Sequence, residues 1–213
     1  MALILVCRAD NDLCTVLRDN GAAFRRVDTP EEAAAHAEPG DGVLILADGY
    51  PDAPTSVGAS IRTAAADRDL RLYVEFPAEI EGAALGTVRT APWARAVVAS
   101  DAFGPDLERL RILTVHDCRF IDVNGSSARP TGAGRHIVLA RVAGFDTAVY
   151  GLPEETAPLL FEHPNDRVLI ATTKLSRFVT GRYAPAEAWR AIWRRILVWA
   201  CPGETVPALR FTP

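Results

Sequence analysis

Lysine is nearly absent from this chain of 213 residues: almost all of its 23 basic residues are arginine, and the 27 acidic residues outnumber them. The net charge of -4 leaves no broad basic surface for a polyanion, so nucleic-acid binding is not expected. The opening apolar run stops at Val6, with no basic leader, which is too short for a secretion signal or a membrane span. We therefore expect a cytoplasmic protein with no membrane contact.

Cysteine is also scarce, and its spacing excludes the common metal motifs. The four cysteines are Cys7, Cys14, Cys118 and Cys201. None lies in a CxxC or zinc-ligand pattern, so we expect reduced structural thiols, no metal and no cofactor. His116 and Cys118 lie two apart on one strand face, about 7 Å between Cα atoms, which favours a core role over a Cys/His dyad. His116 stays a candidate ligand contact.

The first third of the chain alternates between two hydrophobic periods. Strand patterns cover 2–6, 24–27, 42–47 and 71–76, and helix patterns cover 13–21, 30–37 and 55–69. Asp10 or Asn11 is the expected cap of the first helix, and Thr55 or Ser56 that of the third. This alternation predicts an α/β fold with a mostly parallel central sheet and helices on both faces.

The rest of the chain predicts an antiparallel extension near 110–150. We interpret the apolar runs 112–123 and 135–144 as two strands joined by a loop, and 167–175 as another central strand. A closing helix over 184–203 carries an apolar stripe, typical of a core face, at Trp189, Ile192, Trp193, Ile196 and Trp199. We expect one domain over 1–203, and an extended tail or linker to a further domain over 204–213.

Residues 41–78 resemble the core of class I glutamine amidotransferase-like domains, which have a flavodoxin-like three-layer sandwich. "LILADGY" (44–50) occupies the turn after the third strand, and "LYVEFPA" (72–78) occupies the elbow where that family carries its nucleophilic cysteine. Glu75 falls on or within one residue of that position, and no cysteine stands there. Since a carboxylate cannot replace the thiolate in acyl transfer from an amide, the resemblance implies a domain without glutaminase activity.

Residues 140–153 and 167–193 look like amidotransferase-like modules that accompany catalytic domains in bacterial carbohydrate-active proteins. This second resemblance implies an accessory module of a glycoside hydrolase-type protein that has kept the sheet and lost the triad. Its expected partners are a carbohydrate ligand, a catalytic domain in the same or another chain, and a second copy of itself.

Glu75 is the main candidate site residue because it ends an apolar strand, where a carboxylate needs a partner. Lys174 is the expected partner, since it also ends a strand and is the only lysine in a chain that otherwise uses arginine. Two interpretations of this pair stay open. Glu75 is a catalytic general acid or base, or Glu75 and Lys174 form a structural ion pair.

The turn after the third strand carries further candidate ligand contacts. Asp48, Gly49 and Tyr50 lie there, and Phe76 follows Glu75. An acid beside an aromatic ring suits a sugar, and glycine permits close approach, although an Asp-Gly turn alone explains the pattern. "FEHPND" (161–166), with His163, is interpreted as a turn, and the loop 124–134 as a poor phosphate site.

The function expected from these residues is that of a carbohydrate-associated module that supplies an interface or a sugar-contacting pocket. The alternative is a free-standing hydrolase or isomerase of small polar substrates that uses Glu75 as its acid or base.

Overall fold

The computed structural model describes residues 1–92, 94–113, 118–123, 134–163, 167–179 and 185–212. The strands are β1 (Leu3–Val6), β2 (Arg25–Val27), β3 (Gly42–Ile45), β4 (Arg71–Glu75), β5 (Leu85–Thr90), β6 (Arg95–Val98), β7 (Ile112–Leu113), β8 (Arg119–Val123), β9 (Arg135–Ala140), β10 (Ala157–Glu162) and β11 (Val168–Ala171). The helices are α1 (Asp12–Asp19), α2 (Pro30–His36), α3 (Ala59–Asp67) and α4 (Ala186–Ala200), with a short 3-10 turn at Gly104–Asp106.

The described strands form a main sheet in the order β2-β1-β3-β4-β11-β10-β9-β6-β7. The first five are parallel, and the remaining four are antiparallel to their neighbours. This confirms the predicted α/β class, with its mostly parallel centre and antiparallel extension. The central position predicted for the strand near 167–175 is also confirmed, because β11 joins the two halves.

The parallel strands are apolar on both faces because helices cover both. Leu44 and Tyr73 point into the core shared with α1 and α4, whereas Val43 and Leu72 point into the core shared with α2 and α3. Strands covered on both faces are expected to read as continuous apolar runs rather than as alternating ones. Such runs, "LILV" and "GVLI" among them, are therefore expected of interior strands, and β1 and β3 both lie between two neighbours in the sheet.

Helix α4 packs an apolar face against one core. Its predicted stripe is confirmed, since all five residues of the stripe are buried. Trp193 is fully buried, with its ring centroid 5.6 Å from that of Tyr73 on β4. Its indole N–H donates to the carbonyl of Leu175 at 3.3 Å, so the helix also holds the segment that follows β11.

The predicted hairpin between 112–123 and 135–144 is wrong. Ile112–Leu113 pairs with β6 at the edge of the main sheet, whereas Arg119–Val123 pairs with β5 in a separate two-stranded sheet. Strand β9 pairs with β10 and β6. An apolar run shows that a segment is buried, but it carries no information on which strand it pairs with.

The third helix begins later than predicted, at Ala59 with Gly58 as its cap residue. Thr55 instead donates its backbone N–H to the carbonyl of Phe76 at 2.7 Å and accepts from Ala78 at 2.8 Å. The segment before α3 is therefore extended, and it holds the chain that leaves β4.

The segment after α4 has no helix or strand between 204 and 212. Leu209 is buried, and the ring of Phe211 lies 4.8 Å from that of Phe178. None of the helices in the described ranges is both long enough and apolar enough to cross a membrane.

Replacing Trp193 with alanine should lower the free energy of unfolding by about 3–5 kcal/mol, because it opens a cavity between α4 and the sheet. Val198→Ala on the same helix, where the side chain is 40% exposed, should change it by less than about 0.5 kcal/mol. Urea unfolding followed by far-UV circular dichroism measures both. Equal effects of the two substitutions would contradict this packing.

Candidate functional site

Four parallel strands deliver polar residues to one edge of the sheet. Arg8 follows β1, Asp48 follows β3, Glu75 ends β4, and Lys174 follows β11. The edge includes the point between β1 and β3 where the strand order changes direction, with β2 on one side and β4 on the other. Ligands of open α/β sheets bind outside the carboxyl ends of the strands at such a point.

Glu75 lies beneath this edge and is fully buried. Its Oε1 accepts hydrogen bonds from the backbone N–H groups of Leu175 at 3.1 Å and Ser176 at 2.7 Å, and from the Tyr73 hydroxyl at 3.0 Å. Its Oε2 accepts from the Ala47 N–H at 3.1 Å and from the Ser176 hydroxyl at 2.7 Å. The carboxylate therefore joins the ends of β3, β4 and β11.

Burial and hydrogen bonding act on the Glu75 carboxyl in opposite directions. Burial raises its pKa above the ordinary value of 4.5. The donors from Ala47, Ser176 and Tyr73 and the nearby Lys174 ammonium oppose that rise by stabilising the charged form. Burial is the largest of these effects, so the folded protein holds the proton to a higher pH than a solvated glutamate does.

A second set of contacts connects this buried carboxylate to the surface. The Asn11 side chain accepts from the Leu13 N–H at 3.0 Å, which caps α1. Its amide nitrogen donates to Ser176 Oγ at 3.3 Å and to Asp48 Oδ1 at 3.2 Å. Asn11 thereby fixes the position of Asp48 relative to the Glu75 network.

Asp48 and Lys174 form the part of this edge that reaches solvent. Lys174 Nζ lies 3.9 Å from Asp48 Oδ1, and the two side chains are 15% and 23% exposed. Asp48 Oδ2 accepts from the Arg8 N–H. The predicted ion pair between Lys174 and Glu75 is wrong: Lys174 pairs with Asp48, and it influences Glu75 only through its electrostatic field.

The other predicted contact residues pack against one another. The Tyr50 and Phe76 rings meet edge to face with centroids 5.0 Å apart, and the Tyr50 hydroxyl accepts from the Arg119 N–H at 2.9 Å. Phe76 is fully buried, with a left-handed φ of 47° directly after β4. A Cβ at Gly49 would lie 3.1 Å from the carbonyl oxygen of Ala53, so the close packing of this turn explains the glycine without a ligand. Their proposed ligand contacts remain predictions.

Two of the cysteine and histidine candidates, Cys118 and His163, lie in the described part of the chain, and both are buried. His116 lies outside the described residues. Burial raises the pKa of Cys118 to about 11, and its thiol contacts Thr173 Oγ1 at 3.2 Å. His163 is buried, and its backbone N–H donates to the Val168 carbonyl at 2.8 Å. The rest of the predicted turn, residues 164–166, lies outside the described ranges. In the described part of the chain no group of three or more His, Cys, Asp or Glu side chains could hold a metal ion.

Three partners of this site, Ser176, Asn11 and Tyr73, were not predicted from the sequence. Asn11 was identified only as a helix cap, and Tyr73 only as part of an apolar strand. The serine following a strand-ending lysine in "TTKLS" was the one available signal, because polar residues after a central strand lie at the ligand edge.

Comparisons with known proteins identify the fold. No protein-family model and no curated protein matches the sequence. A ThuA-like protein from Bacteroides uniformis has a similar structure, with a TM-score of 0.61 at 9% identity over 96% of this chain and 92% of that one. Agd3, a carbohydrate deacetylase, is similar with a TM-score of 0.55 at 8% identity, over 95% of this chain and 32% of that one.

A third similar structure, PurLQS from Thermotoga maritima, has a TM-score of 0.46 at 15% identity, over 93% of this chain and 97% of that one. The first two likenesses show a shared fold, which is consistent with the amidotransferase-like architecture that residues 41–78 resemble.

Glu75→Gln should lower the free energy of unfolding by about 1–3 kcal/mol. Glutamine replaces one accepting carboxylate oxygen with an NH2 group, and that group would face N–H or O–H donors to which it cannot hydrogen-bond. Urea unfolding at pH 7 measures the loss. The matched control is Glu155→Gln, since Glu155 is exposed and its change should stay within about 0.5 kcal/mol. Wild-type stability in Glu75→Gln would contradict the hydrogen-bonded role.

The stability difference between wild type and Glu75→Gln should also depend on pH. Because the folded-state pKa of Glu75 is raised, the folded protein binds this proton more tightly than the unfolded chain does. The stability that the folded protein gains from binding the Glu75 proton is fully present below pH 4.5 and declines as the pH rises through the folded-state pKa. Unfolding of both proteins at several pH values tests the sign, and a difference that grows with pH would mean that the hydrogen bonds outweigh burial.

Proposed function

We propose that this protein is an amidotransferase-like module without glutaminase activity, and that it contacts carbohydrate hydroxyl groups through Asp48 and Lys174 in association with carbohydrate processing. The observation that carries this proposal is the partly exposed Asp48–Lys174 pair at the carboxyl edge of the parallel strands. This edge is where open α/β sheets bind ligands.

The geometry of the pair suits a hydroxyl group. At 3.9 Å the ammonium and the carboxylate attract each other but are too far apart for a direct hydrogen bond. Within the described residues, Lys174 makes no hydrogen bond, so its N–H donors are available to a ligand oxygen. The Arg8 backbone and the Asn11 side chain hold Asp48 in place, which makes it a preorganised acceptor for the same ligand.

The absence of glutaminase activity is supported by the state of the thiols. An acyl-transfer cysteine must be available as a thiolate at neutral pH. Burial instead raises the pKa values of Cys7, Cys118 and Cys201. At the elbow position after β4 the chain carries Glu75 and Phe76, both fully buried.

The association with carbohydrate is supported by a likeness of fold. Agd3 is a carbohydrate deacetylase, and this chain corresponds to about a third of it. A module of this size within a longer carbohydrate-active protein is the arrangement that the second sequence resemblance implies. Catalysis by Glu75 is less well supported, because its carboxylate is buried and both oxygens are already hydrogen-bonded within the protein.

The proposal can be tested directly because Lys174 is the only lysine in the sequence. Reductive methylation with 13C-formaldehyde labels only Lys174 and the terminal amine, and it keeps the positive charge. In titrations with neutral and acidic mono- and oligosaccharides, a binding sugar should shift the Lys174 NMR signal and leave the terminal signal in place.

Asp48→Asn is the matched variant for this titration, since it keeps the shape of the side chain and removes its charge. We expect Asp48→Asn to raise the Kd for the sugar at least tenfold, which corresponds to a loss of about 1.4 kcal/mol of binding free energy. Asp52→Asn, in the same turn and exposed, should respond like the wild type. If no saccharide moves the Lys174 signal, the sugar-contacting role is wrong.

A further inference from the structure

A serine, a histidine and a glutamate meet on the antiparallel half of the sheet. The Ser100 hydroxyl oxygen lies 3.0 Å from His136 Nδ1, and His136 Nε2 lies 3.1 Å from Glu162 Oε1. Both distances lie in the range of hydrogen bonds, so the imidazole links the hydroxyl to the carboxylate. Nothing in the sequence pattern brought these residues together, because they lie 36 and 26 positions apart along the chain.

Three adjacent strands hold these side chains. His136 lies on β9, which is flanked in the sheet by β10 and β6. Glu162 ends β10, and Ser100 follows β6 by two residues. Two of the three side chains therefore come from paired strands of one sheet, and the third comes from the bend directly after a neighbouring strand. Sites built on such elements are positioned more precisely than sites on long loops.

The hydrogen bonds favour one proton arrangement. The Ala102 N–H donates to Ser100 Oγ at 3.3 Å, which leaves the serine hydroxyl hydrogen free to point at His136 Nδ1. A neutral imidazole that accepts at Nδ1 carries its proton at Nε2, and that proton then faces Glu162. This is the resting state in which a histidine can accept the proton of a serine.

The surroundings fit these roles. His136 is buried, with the Phe103 ring packed edge to face at 6.2 Å, whereas Ser100 is partly exposed. The hydrogen bond from His136 lowers the pKa of Glu162, and Arg195 adds a positive charge 3.8 Å from the same carboxylate oxygen. Glu162 therefore stays ionised and orients the imidazole.

We propose that Ser100, His136 and Glu162 form a Ser-His-Glu catalytic triad that hydrolyses carboxylic esters. The site goes beyond the proposed sugar contact and lies at the opposite edge of the sheet, since Glu162 pairs with Leu169 near the start of β11 while Lys174 follows its end. Serine hydrolases usually present Nε2 to the serine, and here Nδ1 takes that place, which leaves the acid–base chemistry unchanged.

The reaction balances with water as the only co-reactant. Ser100 Oγ attacks the ester carbonyl carbon while its proton passes to His136 Nδ1. The carbon–oxygen bond to the alcohol then breaks, and the alcohol leaves with that proton, which gives an acyl ester on Ser100. Water attacks this ester with His136 as base, the carboxylic acid departs, and the serine regains its hydrogen.

The test combines labelling and turnover on the full chain. A fluorophosphonate probe should form a phosphorus–oxygen bond at Ser100 with loss of fluoride, and peptide mass spectrometry of the wild type should locate the label there. The same protein should hydrolyse p-nitrophenyl acetate. Ser100→Ala and His136→Asn should each lower kcat/KM by about 100-fold or more, whereas Ser60→Ala, an exposed serine on α3, should match the wild type.

Thermal unfolding of each variant separates loss of activity from loss of fold. Labelling at Ser100 in the wild type supports the triad even where a variant is unstable, because the site is mapped on the unaltered chain. A wild-type protein that takes up no label, is labelled elsewhere, or hydrolyses the ester no faster than Ser100→Ala would overturn the proposal and leave His136 as a structural link between strands.

Discussion

The buried carboxylate of Glu75 is the interaction on which the ligand edge of this protein depends. An uncompensated charge at this depth costs several kcal/mol on an order-of-magnitude scale, so the surrounding chain must offer donors to it. Backbone N–H groups from Ala47, Leu175 and Ser176 do so, and they come from the segments that follow β3 and β11. The carboxylate thereby determines how two loops leave the sheet and where their side chains lie.

The polar surface above it follows from that arrangement. Ser176 contacts both Glu75 and Asn11, and Asn11 also caps α1 and holds Asp48. Lys174 immediately precedes this hydrogen-bonded segment, so its ammonium is held beside Asp48. The end of β4 thus supports a neighbouring pair of charges, Asp48 and Lys174, that is partly exposed to solvent.

Much of the fold could be predicted from the sequence, and less of the site. The apolar runs of β1, β3 and β4 identified interior strands of the sheet because burial on both faces leaves a clear pattern, and the stripe of α4 identified the helix face packed on the core. The edge that carries Asp48, Glu75 and Lys174 followed from strand direction alone. Their pairing did not, because Glu75 and Ser176 lie 101 positions apart and no local period links them. For the same reason β7 and β8 could not be assigned to different sheets, and the Ser100 cluster left no motif.

The most direct test of this account is a double-mutant cycle between Glu75→Gln and Ser176→Ala, with the free energy of unfolding measured in urea for all four proteins. If the carboxylate holds the segment after β11 through Ser176, the two losses should not add, and the coupling energy should lie within about 0.5–3 kcal/mol. Strictly additive losses would mean that Glu75 and Ser176 act independently, which would contradict the claim that one buried carboxylate organises the ligand edge.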